Sequence, residues 1–323
     1  MMEVSTVERD TELEIFEKDV EQGLSAPFKF ISSKYFYDDI GSGIFQEIMK
    51  MPEYYPTNCE FEILSLQSEE IIENLHFKEP FNIVEFGAGD GIKTRQLLKK
   101  LVEKGIDFTY VPIDISGKAI RELKLNMQSA LPEMQIRPLI GNYFTMVEEL
   151  SSLKMPSLFL FLGGNIGNYQ DEEANQLLKQ FSQHMKPGDK LLTGFDLQKN
   201  PATIRNAYDD KQGITKAFNL NLLQRINREL GGDFKLGQFD FYSHYDPANG
   251  EVKSYLVSLI AQRVYLQKTD KYYSFGKNEL IWTELSKKYT LSGIEELSER
   301  NNFTVVNHFM DCKHYFTDSL WMK

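Results

Sequence analysis

The stretch FNIVEFGAGDGIKTRQLLKKLVE (81–103) decides the fold. Its first six residues are mostly apolar, and so short a run bounded by glycines reads as a strand buried on both faces. GAGDG (87–91) follows at once, and Leu97, Leu98, Leu101 and Val102 then form a stripe that predicts a helix over 94–104. The same rhythm continues downstream. FTYVPIDI (108–115) reads as a second strand with a helix over 117–128, and MQIRPLI (134–140) as a third strand. SLFLFLGG (157–164) reads as a fourth, followed by a helix marked by Ala174, Leu177, Leu178 and Phe181, and KLLTGFDL (190–197) as a fifth after the Pro187-Gly188 turn. Buried strands alternating with helices predict an α/β, doubly wound parallel sheet. Ligands on such sheets bind beyond the carboxyl ends of the strands, so the residues after strands one, two and four carry the first expectations.

Outside this core the pattern changes. Helices are expected at about 201–209 and 214–230, the second with Leu222, Leu223, Ile226 and Leu230 on one face. Strand-like stretches at 234–245 and 251–266 are joined by the turn DPANG (246–250), and KYYSF (271–275) offers another strand. A helical pair is expected at about 278–300, before FTVVNHF (303–309) and HYFTDSLW (314–321), which read as a closing antiparallel hairpin. The opening 62 residues show no parallel-sheet unit and read as helical and aromatic-rich, with Tyr35, Phe36, Tyr37, Phe45, Tyr54 and Tyr55 close together.

Composition narrows the function. The 323 residues suit two domains or one embellished one. Lysine and arginine number 36 against 47 aspartates and glutamates, a net charge of −11 with no basic run, so nucleic acid is not an expected partner. Cys59 and Cys312 cannot build a disulfide framework, and no Cys/His cluster suggests a metal. MMEVSTVERDTELEIF (1–16) lacks the apolar run of a signal peptide, and LFLFL (158–162) is far short of the ~20 residues of a membrane span. A cytoplasmic enzyme of small molecules, monomeric and metal-free, is the expectation.

Three ligand classes compete for the glycine turn. A dinucleotide site wants GxGxxG, but Ile92 stands at the third position. A Walker A loop wants a glycine before Lys93-Thr94, where Ile92 stands instead. The third class, S-adenosylmethionine, is met by E-x-G-x-G followed by an acid at the end of the next strand. Glu85-Phe86-Gly87-Ala88-Gly89 and Asp114 supply that arrangement.

Several stretches together resemble the histidine-specific Nα-methyltransferase family of ergothioneine biosynthesis. They are YFYDDIGSGIFQEI (35–48), MPEYYPT (51–57), EFGAGDGIKTRQLL (85–98), YVPIDIS (110–116), FLGGNIGNY (161–169), GFDLQKNP (194–201), AYDDKQGITKAFNLNLLQRINRELGGDF (207–234) and WTELSKKY (282–289). The resemblance implies a class I methyltransferase domain at 63–198 and 288–323. It also implies a second, α+β substrate-binding domain built from 1–62 and 199–287. By the same likeness Gly87, Gly89, Lys93, Asp114, Asn142, Tyr143 and Gly163 would hold S-adenosylmethionine. Phe45, Tyr54, Asn168, Tyr208, Ser254, Glu284 and Ser286 would hold the amino acid, with Tyr37 and Asn168 at the reacting amine. Two positions depart from the family pattern: Asn142 replaces an aspartate, and Ser254 a methionine. The implied reaction is stepwise trimethylation of L-histidine. The alternatives are an N-methyltransferase for another aromatic amino acid, such as tryptophan, or a non-catalytic cofactor-binding partner; a dehydrogenase is more distant.

Overall fold

The computed structural model describes residues 6–141, 146 and 154–323. The chain forms two compact units. One comprises the residues up to Tyr54 with Asn200–Ser286, and the other Tyr55–Lys199 with Lys287–Lys323.

The second unit holds the parallel sheet. Strands Phe81–Phe86, Phe108–Asp114, Ser157–Phe161 and Lys190–Asp196 pair in parallel, with 81–86 between 108–114 and 157–161. The order reverses direction around 81–86, which makes the end of that strand the switch point of the sheet. Strand 81–86 is buried at every residue, as an apolar run covered on both faces requires. Helices Thr94–Glu103 and Gly117–Ala130 follow the first two strands, and Asp171–His184 follows 157–161. Phe86, Phe159, Phe161 and Phe181 pack within one core with Leu177, Leu178, Phe195 and Trp321.

The closing hairpin is Thr304–Met310 with Phe316–Met322. Only 316–322 runs against the parallel strands, since it lies antiparallel to 190–196 and 304–310 is antiparallel to it in turn. The expected third strand is broken in two: Gln135–Ile136 and Leu139–Ile140 each pair with 108–114, and Pro138, which has no N–H to donate, stands between them.

The first unit has its own core, with Phe36, Phe218, Leu222, Leu223, Ile226 and Leu230 at its centre. Helix Ile214–Leu230 runs between Gly213 and Gly231, both left-handed (φ 75° and 64°), so glycine chemistry fixes both of its ends. A four-stranded sheet places Leu280–Lys287 between Lys29–Phe30 and Glu251–Ser258, with Phe239–Asp246 beyond.

Two expectations fail here. The stretch 251–266 is two strands, because the chain turns at 259–261 and Gln262–Leu266 forms a separate hairpin with Lys271–Phe275. The helical pair at 278–300 is a strand at 280–287 and one helix, Leu291–Arg300. Ile281, Thr283 and Leu285 are buried in alternation, so the period was two rather than 3.6. No helix of the described residues is long and apolar enough to cross a membrane.

Candidate functional site

In the second unit the glycine turn is built from its backbone. Gly87, Gly89 and Gly91 have φ of 70°, 54° and 67°, a region that side-chain-bearing residues avoid. Their reasons differ. A Cβ on Gly91 would lie 2.5 Å from the Met127 terminal methyl, whereas one on Gly89 would meet nothing within 4 Å. Packing therefore demands the first, while the second leaves backbone open to an approaching ligand.

Asp114 ends strand 108–114 and ties the turn. Its Oδ2 accepts from the Gly89 N–H at 3.2 Å and its Oδ1 from the Ser116 N–H at 2.9 Å. A carboxylate has about four acceptor sites, so lone pairs remain for hydroxyl donors. Glu85 is fully inside: it accepts from Thr94 Oγ1 at 2.5 Å and from the Tyr110 hydroxyl. Burial pushes its carboxyl up to about 7 against the pull of those two donors and of Lys93. The acid of the E-x-G-x-G signature thus locks strand to helix and touches no ligand-facing surface.

After strand 157–161 the chain turns through Gly163 and Gly164, both left-handed at φ 79° and 67°. The Gly163 N–H donates to Oε1 of Glu60 at 2.6 Å, and Glu60 Oε2 forms an ion pair with Lys93. The Lys93 ammonium lies 3.6 Å from where a Gly163 side chain would start. Burial opposes its charge, but the Glu60 carboxylate outweighs that and raises its pKa. Asn168 ends the 3-10 turn Asn165–Asn168, which rests on Lys287: a Cβ on Gly167 would strike the Lys287 carbonyl at 2.6 Å. Gly87, Gly89 and Asp114 thus come together at one turn, and Lys93 with Gly163 at the next. Asn142 and Tyr143 lie outside the described residues.

These groups match the chemistry of S-adenosylmethionine. Asp114 has acceptors for ribose hydroxyls, the bare Gly89 backbone admits close approach, and the Lys93 ammonium suits an amino-acid carboxylate.

The first unit gathers the other set. Glu284 and Ser286 stand two apart on strand 280–287 and so point to one face. Ser254 Oγ, 1% exposed on the neighbouring strand, donates to Glu284 Oε2 at 3.2 Å. Ser286 Oγ lies 2.8 Å from the Tyr208 hydroxyl, and both residues are buried. Tyr208 begins a row of aromatic edges: its ring centroid is 6.2 Å from Tyr54, which is 6.2 Å from Phe45, which is 5.4 Å from Tyr37. Although Tyr37 is 42% exposed, desolvation of its hydroxyl, then the Glu284 carboxylate and Tyr208, raise its pKa above the ordinary value, at which the phenol is already neutral at pH 7.

Tyr37 is braced on both sides by helix 214–230. Arg225 donates to the Tyr35 carbonyl at 2.9 Å, while Asp38 accepts from Asn221 at 2.9 Å and pairs with Arg228 at 2.5 Å. Asp38 also accepts from the Gly41 N–H at 2.6 Å, capping helix Asp39–Lys50, which carries Phe45. Asn221, Arg225 and Arg228, all on one helix, therefore hold the aromatic segment, whereas Asn227 of the same helix bonds to the Phe234 backbone instead.

Sequence reasoning missed Glu60 and Asp318, both 0% exposed. Their only signal was an acid at an inward position: Glu60 beside Cys59 and near Ile63 on one helix, and Asp318 inside the apolar strand FTDSLWM. It also missed Asp196, which accepts from the Tyr55 hydroxyl at 2.9 and 3.0 Å and pairs with Lys199 and, at 2.9 Å, Lys288.

Residues 16–323 match the family described as histidine-specific methyltransferase, SAM-dependent. A histidine N-alpha-methyltransferase of Mycolicibacterium smegmatis is 32% identical over 291 residues, covering 90% of this chain and 89% of its own. One from Mycobacterium tuberculosis is 35% identical over 274 residues, 84% of each chain. Ergothioneine biosynthesis protein 1 of Schizosaccharomyces pombe is 26% identical over 287 residues, 86% of this chain but 37% of that protein. With a match of that extent and a parallel sheet of this order, the chain belongs to the SAM-dependent histidine-specific methyltransferase family.

Proposed function

We propose that this protein transfers methyl groups from S-adenosylmethionine to the α-amine of L-histidine, three in succession, giving Nα,Nα,Nα-trimethylhistidine for ergothioneine biosynthesis. The observation that carries the choice of substrate is the pairing of Glu284 with Ser254 and of Ser286 with Tyr208 on one face of a strand. An imidazole presents two nitrogens, one donor and one acceptor when neutral. The Glu284 carboxylate accepts from the N–H, and the Ser286 hydroxyl serves the other nitrogen. Glu284 enters the site already oriented, because Ser254 occupies one of its oxygens.

The cofactor set is Gly87, Gly89, Lys93, Asp114 and Gly163, with Asn142 and Tyr143 at the adenine. When bound, S-adenosylmethionine supplies a methyl on a sulfonium, a good leaving group that needs neither a metal nor a strong base. The work left to the protein is positioning. Tyr208 and Asn168 hold the α-carboxylate end and Tyr54 the ring. The Tyr37 phenol, neutral at pH 7, accepts a hydrogen bond from an amine N–H and so aims the lone pair. The amine attacks in its neutral form, so one proton passes from it to solvent before each transfer.

Each transfer leaves a larger cation. The edge-packed row of Tyr37, Phe45 and Tyr54 gives it aromatic faces. In this reading the unit of residues up to Tyr54 with Asn200–Ser286 binds the substrate and the unit of Tyr55–Lys199 with Lys287–Lys323 binds the cofactor, so the substrate part is eight residues shorter at its first boundary than 1–62. The enzyme works on a free amino acid, as a cytoplasmic monomer. The test is a mass-spectrometric assay with S-adenosylmethionine and each of the twenty amino acids. Addition of three methyls to histidine alone is expected. Turnover of tryptophan or tyrosine in its place would overturn the imidazole reading, and cofactor binding without any turnover would favour a non-catalytic partner.

A further inference from the structure

Beneath the Gly163 turn lies a group of charges that the proposed reaction does not use directly. Glu60, on helix Tyr55–Leu66, spends Oε1 on the Gly163 N–H and Oε2 on Lys93. Next to it is Asp318, on the reversed strand 316–322, whose two oxygens are both buried and reached by no N–H or hydroxyl donor of the described residues. Its partner is the Glu60 carboxylate, and two carboxylates can bond only if a proton lies between them. The backbone makes room for this contact: Asp318 pairs in register with Gly194, where a Cβ would come within 2.4 Å of Glu60 Oε1.

We propose that Glu60 and Asp318 share one proton and act as a positioning pair for Lys93, holding its ammonium at the Gly163 turn. The inference rests on the reading of Lys93 and Gly163 as cofactor residues. A single proton matters because two ionised carboxylates beside Lys93 would leave the cluster net negative, and that field would repel a carboxylate arriving at the ammonium. With one proton Glu60, Asp318 and Lys93 together carry no net charge. Glu60 then fixes one direction of the ammonium, and the remaining N–H groups are free to donate. Burial first, then the Glu60 charge, push Asp318 well above the usual carboxylate range against the opposing pull of Lys93. Among the described residues the other ionisable groups at the cluster are Glu85 and, bonded to Glu85, Tyr110.

Two measurements test this on the full chain. The first is S-adenosylmethionine affinity by calorimetry for wild type, Glu60→Gln, Lys93→Met and the double variant. Glu60→Gln is expected to weaken cofactor binding about tenfold with the histidine KM little changed, and to add no more than about twofold in the Lys93→Met background. Wild-type affinity in Glu60→Gln beside a weak Lys93→Met would overturn the positioning role alone. Wild-type affinity in Lys93→Met would overturn the reading of Lys93 as well. The second is the infrared difference between wild type and Asp318→Asn at neutral pH, which does not depend on Glu60→Gln folding. A protonated-carboxyl band lost in Asp318→Asn is expected, and no such band would overturn the shared proton.

Discussion

The candidate sites of the two units are built by different means, and the difference decides what a sequence can reveal. In the parallel-sheet unit the candidate contacts are backbone groups and strand ends: Gly87, Gly89, Gly163 and Asp114. Backbone recognition forces glycine at fixed spacings, which leaves a motif. In the other unit the candidate contacts are side chains on an antiparallel strand and in an aromatic row, any of which could equally serve packing. Side-chain recognition leaves no spacing rule.

The sharpest way to break this comparison is at Glu284. Glu284→Ala should raise the histidine KM about a hundredfold, ~2.7 kcal/mol, since a hydrogen bond to a half-buried charged group is lost. Cofactor affinity should stay as in wild type. An unchanged histidine KM would mean that the imidazole is read elsewhere.

Next in size is a pH effect confined to the parallel-sheet unit. Glu85 titrates near 4.5 when exposed and near 7 when folded. An acid whose pKa rises on folding binds its proton more tightly in the folded chain. Its contribution is therefore fully present below about pH 4.5 and is lost as the pH rises through 7. On the order of 2–3 kcal/mol of stability should disappear across that window. Denaturant unfolding at pH 5 and pH 8 checks this: Glu85→Gln should flatten the difference, and an undiminished difference would place the titration in other groups.

Tyr37→Phe should lower kcat about tenfold, ~1.4 kcal/mol, with the histidine KM within about twofold, because one hydrogen bond at the amine is removed while the ring remains. Equal turnover would take Tyr37 out of the mechanism. The smallest effect is expected at Ser254. Ser254→Ala should raise the histidine KM several-fold, ~1 kcal/mol, by freeing the Glu284 carboxylate, while Ser254→Met would show whether the larger residue can take over that task by packing. A Ser254→Ala variant with an unchanged KM would mean that Glu284 is held by other neighbours.

Much of the fold was legible because its elements obey one period each. Strand 81–86 and helix 214–230 stand where the pattern put them, the first by continuous burial and the second by a clean apolar face between glycines. The strand at 280–287 was not legible, because LIWTELSK carries Ile281, Trp282 and Leu285 at i, i+1 and i+4, a spacing that suits a helix as well. The burial of Thr283 beneath Asn219 and the Ser254 carbonyl, a tertiary fact, chose the strand. Of the candidate site, Gly87, Gly89 and Asp114 followed from spacing, whereas Glu284, Ser286 and Tyr208 followed only from family likeness. Glu60 and Asp318 followed from neither, since a buried acid announces itself only through the partners that burial gives it.

Asp196 has a topological consequence. The chain leaves or enters the parallel-sheet unit at three places, next to Tyr55, Lys199 and Lys287. Tyr55, Lys199 and Lys288 all bind the one Asp196 carboxylate, and Leu197 bridges Tyr289 in the backbone. The segment between Lys199 and Lys287 therefore departs and returns at the same mooring. Because its two ends lie together, the segment interrupts the chain without spreading the strands on either side of it.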